Sequence, residues 1–432
     1  MGNKSSSASS GSGGSSGEKS SSAAAAAPTE NKDPSYWEMA QKGYEQVVNA
    51  IIRPPRSHYQ VMHLGPVRFK FYKCDIIRKD FVIYNERGMR IECSMWEHVE
   101  RPAEVVPCVI YMHGNSSSRV ESLAQLSMVL HMKCSFLTFD SCGSGLSEGE
   151  YVSLGYFERE DLKAVISHLR DDGRTSTIAL WGRSMGAATA MLHGERDPSI
   201  AGMVLDSAFA DLTILAQDMV EKGRAQGAFA PGLLVSMVIR SIRASVQKRA
   251  NFDVYELSPV KHADCCYIPA LFVAAKGDDF ISPEHSKKIF EKYAGDKNLI
   301  SISGDHNSVR PKFMYDSVGI FLARVLMVPD SWHCGQEEGL PPCPGGLAPW
   351  QMGTSVFSFD DGLSRRSVFG RVSSFTGLGA KPSSPSGGSD SKKRLSSMTD
   401  SEFERLTAAE IEALLQQDES GRGGMSAERQ EA

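Results

Sequence analysis

Three G-x-S-x-G segments of the chain could each present a nucleophilic serine. Their central residues are Ser15, Ser147 and Ser184. Only the third segment lies between an apolar run that ends at Trp181 and a small-residue segment typical of a helix packed closely on a sheet. In a nucleophile elbow the serine occupies a sharp strand-to-helix turn, and glycines are needed at Gly182 and Gly186 because side chains there would collide with neighbouring backbone. The pattern predicts Ser184 as a nucleophile, and the alternative is an ordinary strand-helix turn.

A serine hydroxyl is a poor nucleophile at neutral pH, so it needs a base and an acid that orients the base. His306 is the candidate base, since it follows the last predicted strand and precedes the last predicted helix. Asp278 and Asp279 both follow one predicted strand, and either could accept the imidazole N–H. Asp206, after the preceding strand, is a third candidate acid.

Acyl transfer also requires hydrogen-bond donors for a developing oxyanion. The backbone N–H of Met185 supplies one by its position after the serine, and the loop that follows an early strand is placed to supply a second from Asn115. His113, at the end of that strand, is interpreted as a structural residue. Arg183 is interpreted as one member of a surface ion pair, with an anionic substrate as the alternative.

The elements that must position these residues alternate between strands and helices. Strands are predicted at Cys108–Met112, Ser135–Asp140, Ile178–Trp181, Gly202–Asp206, Ala270–Ala275 and Leu299–Ser303. An antiparallel hairpin, Arg68–Tyr84 with Met89–Glu97, precedes them, and a helix is predicted from Tyr36 to the prolines at 54 and 55. The pattern predicts an α/β fold with a mostly parallel sheet covered by helices on both faces. The helical interval at about 211–257 is either a cap over the active site or extra helices on the core.

The two ends of the chain differ in composition from the middle. Residues 1–33 are rich in Ser, Gly and Ala and are expected to be disordered, and residues 34–329 form the predicted domain. Residues 330–432 are expected to be mostly disordered, with a short amphipathic helix at about 400–417 that could dock on a protein partner or on the protein's own core.

Charge and cysteine usage limit the location and the partners. The net charge of −5 over 432 residues gives no electrostatic reason to bind nucleic acid. The nine cysteines are scattered without zinc-ligand spacing, so we expect reduced thiols in a cytoplasmic protein without metal or cofactor. Neither a secretory signal nor a spanning segment is expected. The first six residues fit the myristoylation pattern at Gly2, which would give peripheral membrane contact; the alternative is an incidental glycine in a Gly/Ser-rich arm.

Several consecutive motifs resemble one known family. They read, in order, HGNSSSR, FDSCGSGLSEGEYVSLGY, LWGRSMGAATAML, AGMVLDSAF, GDDFISPEHS and GDHNSVRP. They are similar to the alpha/beta-hydrolase superfamily, and closely to the serine-aminopeptidase-like hydrolases of plants and protists, over about residues 47–326. A more distant similarity is to protein depalmitoylases, which share the H-G-N loop but carry an N-terminal cysteine cluster that this chain lacks.

The resemblance implies an alpha/beta-hydrolase fold, with Ser184 as nucleophile, His306 as base and Asp278 as acid. We therefore expect a serine hydrolase that cleaves an ester, thioester or amide in a small molecule or an acylated protein. The competing hypothesis is a membrane-tethered scaffold that uses an inactive hydrolase domain.

Overall fold

The computed structural model of the protein describes residues 36–225, 232–335, 345–352 and 357–358. The chain divides into two units at Tyr44, inside the first helix. Residues 36–44, the described part of the first unit, are helical. Gly2 and the predicted C-terminal helix lie outside the described residues.

One sheet of ten strands organises the fold. The strands are β1 Arg68–Phe71, β2 Cys74–Tyr84, β3 Arg90–His98, β4 Val106–Met112, β5 Ser135–Phe139, β6 Thr175–Arg183, β7 Gly202–Asp206, β8 Ala270–Ala275, β9 Lys297–Ile302 and β10 Phe357–Ser358. Their spatial order is β10-β1-β2-β3-β5-β4-β6-β7-β8-β9. Strands β4 to β9 pair in parallel, and the four others pair antiparallel on one side. The predicted α/β class with a mostly parallel sheet is confirmed.

Helices connect the strands and cover both faces. These helices are α2 Leu123–His131, α3 Glu158–Asp171, α4 Met185–Gly194, α5 Leu212–Ala225, α6 Gly232–Ala250, α7 Pro283–Lys292 and α8 Lys312–Val325, and a further helix, α1 Tyr36–Ile52, precedes the first strand. Successive residues of a strand point to opposite faces. In β4, for example, Val109 and Tyr111 belong to the core under α2 and α8, whereas Cys108 and Ile110 belong to the core under α3, α4 and α7. Because the central strands are buried on both sides, their sequences are apolar runs without polar alternation.

The predicted N-terminal hairpin is a three-stranded meander, so that prediction is wrong in strand number. The run from Arg68 is broken at Tyr72 and Lys73, which both have positive φ, 47° and 66°, and join β1 to β2. Two consecutive residues of this conformation form the tight turn that suits a two-residue hairpin. Asn-Gly or Asp-Gly is the usual signal for such a turn, and neither pair occupies residues 72–73.

The sheet also continues past residue 329, where the sequence predicts the end of the domain. Strand β10 pairs antiparallel with β1, so that Phe71 lies opposite Phe357. Trp350 stacks edge-on against Phe69, with their ring centroids 6.0 Å apart. The domain therefore extends beyond the predicted boundary, because short segments of the C-terminal region pack on the antiparallel strands.

The interval between β7 and β8 is helical, as the sequence predicts, and consists mainly of α5 and α6. Within the part of the chain that the structure describes, none of the helices combines the length and apolar character needed to cross a bilayer.

Candidate active site

Ser184 occupies a strained turn between β6 and α4. Its φ and ψ are 53° and −113°, a conformation that L-residues rarely adopt, and its backbone N–H donates to the carbonyl of Asp206 at the end of the adjacent strand. A Cβ added to Gly182 would lie 2.2 Å from the carbonyl oxygen of Gly186, and one added to Gly186 would lie 2.2 Å from that of Met112. Both glycines are therefore required by the close approach of neighbouring backbone, as the sequence pattern predicts.

The structure brings Ser184, His306 and Asp278 together. The distance from His306 Nε2 to Ser184 Oγ is 3.1 Å, and that from His306 Nδ1 to Asp278 Oδ2 is 2.6 Å. A carboxylate can only accept, so Nδ1–H donates to Asp278, and Nε2 is left to accept the serine hydroxyl. This is the tautomer that a general base requires.

The turn after β8 distinguishes the two candidate acids. Asp278 is buried, and its Oδ1 accepts from the backbone N–H groups of Phe280, at 3.0 Å, and Ile281, at 2.7 Å. These bonds fix the carboxylate while its other oxygen faces His306. Asp279 points into solvent, and the N-terminus of α7 is capped by Ser282 instead.

Asp206, the third candidate acid, is engaged elsewhere. Its two carboxylate oxygens accept from Arg310 Nε and Nη2, each at 2.9 Å, and both residues are buried. Sequence reasoning missed Arg310. Its only signal was its place in the motif that contains His306, which does not show what the side chain contacts.

Two arginines hold the loop that carries His306. Arg310 donates to the carbonyl oxygens of Asp305, His306 and Ser308 at 3.1 to 3.3 Å. From the other side, Arg183 Nη2 donates to the carbonyl of His306 at 2.8 Å. The position of the imidazole is therefore set by fixed backbone bonds as well as by Asp278.

Arg183 also pairs with a partly buried acid, so it is part of the scaffold of the site. Its Nη1 lies 3.3 Å from Glu121 Oε2, and Glu121 accepts from the hydroxyl of Tyr111 at 2.7 Å and from the N–H of Gly114 at 3.2 Å. Burial opposes ionisation of Glu121, but the guanidinium of Arg183 together with hydrogen bonds from Ser117 and Tyr111 outweighs it and lowers the pKa of that carboxyl. The predicted ion pair is present, and it is partly buried.

The H-G-N loop borders Ser184. A Cβ built on Gly114 would lie 3.7 Å from that of Ser184, and Asn115 is the next residue. His113 is fully buried; it accepts from Ser141 N–H through Nε2, at 3.1 Å, and donates from Nδ1 to the carbonyl of Gly114, at 2.8 Å. Both ring nitrogens are therefore used in holding two loops, in agreement with a structural role.

Helix α5 contacts the acid-bearing loop and helix α7. Lys222 Nζ donates to the carbonyl of Asp279 at 2.6 Å, and Asp218 Oδ2 lies 3.1 Å from His285 Nε2 on α7. His285 is buried, and its Nδ1 accepts from the N–H of Ala210. These contacts fix part of the inserted helices next to Asp278 and helix α7, and they fit both a cap and extra helices packed on the core.

Ser147, which has the same surrounding pattern, is not presented in this way. It is buried, and its hydroxyl donates to the carbonyl of Asp140 at 2.6 Å and accepts from the N–H of Glu92 at 2.8 Å. Both bonds serve to hold the loop after β5 against β3.

Comparison with known proteins agrees with this architecture. Residues 103–259 match the family described as "Serine aminopeptidase, S33". The chain is 25% identical over 229 residues to the alpha/beta hydrolase domain-containing protein WAV2 of Arabidopsis thaliana, across 51% of this chain and 68% of that protein. The chain is similar to these proteins and has the alpha/beta-hydrolase fold.

Other proteins similar to this chain are comparably distant. It is 28% identical over 209 residues to the uncharacterized protein YqkD of Bacillus subtilis, across 48% of this chain and 66% of that protein. The chain thus spans about two thirds of the length of these relatives. Among solved structures, the Pyrococcus furiosus esterase Pf2001 has a TM-score of 0.47 at 22% identity, with 63% of this chain and 98% of that chain covered.

Proposed function

We propose that the protein is a serine hydrolase that cleaves a carboxylic ester, thioester or amide through an acyl-enzyme on Ser184. The observation that carries the proposal is the continuous hydrogen-bonded series from Ser184 through His306 to Asp278. Each member has one role in it: nucleophile, base and orienting acid.

In the first half-reaction, Ser184 Oγ attacks the acyl carbon while His306 Nε2 takes the hydroxyl proton. Asp278 holds the other ring nitrogen and stabilises the imidazolium that forms. The C–O or C–S or C–N bond to the leaving group then breaks, and the leaving group takes the proton from Nε2. In the second half-reaction, water gives one proton to Nε2 while its hydroxide oxygen bonds to the acyl carbon. The bond from that carbon to Ser184 Oγ then breaks, Oγ takes the proton back from Nε2, and the acid is released.

The oxyanion of each tetrahedral intermediate is assigned to the N–H groups of Met185 and Asn115. Met185 begins α4, and the first amides of a helix lack intrahelical acceptors and carry the positive end of the dipole. Donors fixed before the reaction stabilise the developing charge without reorganisation. Support for the second donor is the contact of the H-G-N loop with Ser184.

A fluorophosphonate probe tests the mechanism, because it forms a covalent bond only with an activated serine. We expect stoichiometric labelling of the wild type and none of Ser184→Ala, as measured by intact mass. Ser147→Ala is the matched control, since Ser147 has the same glycine pattern and a hydroxyl bonded to backbone groups. It should label like the wild type, and equal loss of labelling in both variants would contradict the proposal.

Acyl esters and thioesters of graded chain length then define the substrate class. The proximity of the inserted helices to Asp278 supports a preference set by the acyl chain, because side chains beside the site limit which acyl groups fit. A folded wild type that labels with the probe but hydrolyses none of the panel would remove this substrate class while leaving the nucleophile assignment intact.

A further inference from the structure

Two cysteines and a histidine from distant parts of the sequence meet at one point of the fold. Cys74 begins β2, His98 ends β3, and Cys334 follows α8. One ligand atom from each lies within 4.8 Å of the other two. The sequence showed no such cluster because the three residues share no local spacing: the two cysteines are 260 positions apart.

The cluster and Ser184 lie at opposite ends of the strands of the sheet. In the antiparallel pairing of β3 with β5, Trp96 is opposite Phe136, and His98 is two residues further along β3. His98 is therefore beyond the amino-terminal end of β5, whereas Ser184 follows the carboxyl end of the parallel strand β6. The cluster takes no part in the proposed hydrolysis.

The separation of the two sulfur atoms fits one particular bonding arrangement. Cys74 Sγ and Cys334 Sγ are 3.8 Å apart. Two thiolates bound to the same tetrahedral zinc are separated by about 3.8 Å, because each Zn–S bond is about 2.3 Å long. A disulfide would require about 2.05 Å between the sulfurs.

His98 has the surroundings of a metal-binding histidine. It is buried, and its Nε2 lies 2.9 Å from the carbonyl oxygen of Leu130. Because a carbonyl only accepts, Nε2 carries the proton, and the lone pair of the neutral ring is on Nδ1. Metal-binding histidines regularly donate their second nitrogen to a backbone carbonyl or a carboxylate in this way.

The chemistry of the donor set selects the ion. Thiolate and imidazole ligands suit zinc, whereas magnesium and calcium require oxygen ligands. Cys334 and His98 are buried and Cys74 is half-buried, so a fourth position would open toward solvent through Cys74.

We propose that Cys74, His98 and Cys334 bind one Zn²⁺, with water as the fourth ligand. The ion joins the start of β2 and the end of β3 to the segment that follows α8. Binding releases the protons of both thiols and leaves the oxidation states unchanged. The site is a cross-link between chain regions that are far apart in sequence.

Metal analysis of the full-length chain tests the site. We expect one zinc per chain after purification without added chelator, measured by elemental mass spectrometry. Replacement by Co²⁺ should give the intense thiolate-to-cobalt absorption and the visible bands of a tetrahedral complex. Cys74→Ser and Cys334→Ser should weaken zinc binding by more than about 100-fold in competition with a chromophoric chelator.

Cys265→Ser is the matched control, because Cys265 is exposed and outside the cluster. It should bind zinc like the wild type. A chelator should lower the melting temperature of the wild type and of this control but not that of Cys334→Ser, a readout that general misfolding would not reproduce. Three results would overturn the proposal: a folded wild type without stoichiometric zinc binding, cobalt spectra without thiolate bands, or a Cys74–Cys334 disulfide in the protein purified under reducing conditions.

Discussion

Replacement of Arg310 by methionine would remove the buried cation that neutralises Asp206. The two residues are 7% and 2% exposed, and the guanidinium makes two hydrogen bonds of 2.9 Å to the carboxylate. Removing one partner of a buried pair leaves an uncompensated charge and costs about 3–5 kcal/mol. We therefore expect Arg310→Met to lower the free energy of unfolding by this amount, measured by urea denaturation at neutral pH.

A double-mutant cycle separates the charge from the loss of packing. Asp206→Asn combined with Arg310→Met removes both charges, so the double variant should be more stable than Arg310→Met alone. The reasoning would be refuted by a single variant that loses less than about 1 kcal/mol. Strict additivity of the two single effects would refute it as well.

The same replacement also tests how the imidazole of His306 is positioned. Arg310 donates to three carbonyl groups of the loop that carries His306, and Arg183 donates to the carbonyl of His306 and to Asn307 Oδ1. A displacement of about 1 Å in a catalytic group costs on the order of 10²-fold in rate. We expect kcat to fall by this factor with little change in KM, measured on an activated ester where the variant is fully folded. A folded variant with wild-type kcat would show that Arg310 stabilises the domain without positioning the base.

Three further perturbations follow from the site. Asp278→Asn should lower kcat for ester hydrolysis by about 10⁴-fold, since it reverses the tautomer of His306. Asp279→Asn should keep kcat near the wild-type value, and equal losses in the two variants would contradict the assignment of Asp278 as the acid. Gly186→Ala should lower the free energy of unfolding by about 3 kcal/mol or more, because the added Cβ would lie 2.2 Å from the carbonyl oxygen of Met112. The helical control Gly319→Ala, whose added Cβ would lie 3.5 Å from the nearest atom, should raise the free energy of unfolding by up to about 1 kcal/mol; urea denaturation measures both. Burial lowers the pKa of His285 below 6.5, although the charge of Asp218 opposes this shift. The unfolded chain therefore binds the proton first, and the stability of the protein should fall as the pH drops through 6.5. His285→Gln should reduce the difference between the denaturation midpoints at pH 7.5 and pH 5.5, and an unchanged difference would contradict this reasoning.

Much of the fold could be predicted because its central strands are long apolar runs that end at turn residues. Strands β7 and β8 match their predicted bounds, and the glycines around Ser184 mark a backbone approach that admits no side chain. Such features follow from local sequence. The turn at Tyr72 escaped prediction because its positive φ angles depend on the pairing of the strands beside it.

The supports of the candidate site were harder to predict. Arg310 and Asp206 are 104 positions apart, and an isolated arginine gives no sign of the carboxylate that it meets. Likewise, the choice between Asp278 and Asp279 depends on which carboxylate accepts the backbone N–H groups of the following turn. These relations exist only after the chain has folded, so residue types alone left them open.

The pairing of β10 with β1 has a consequence for how the protein behaves when it is shortened. A chain ending at residue 329 would lose the aromatic rings of Trp350 and Phe357 from Phe69 and would leave the outer hydrogen-bonding groups of β1 unpaired. An uncovered strand of this kind recruits strands from other molecules. A protein truncated at residue 329 would therefore self-associate through the exposed edge of β1, even though every residue of the proposed reaction would still be present.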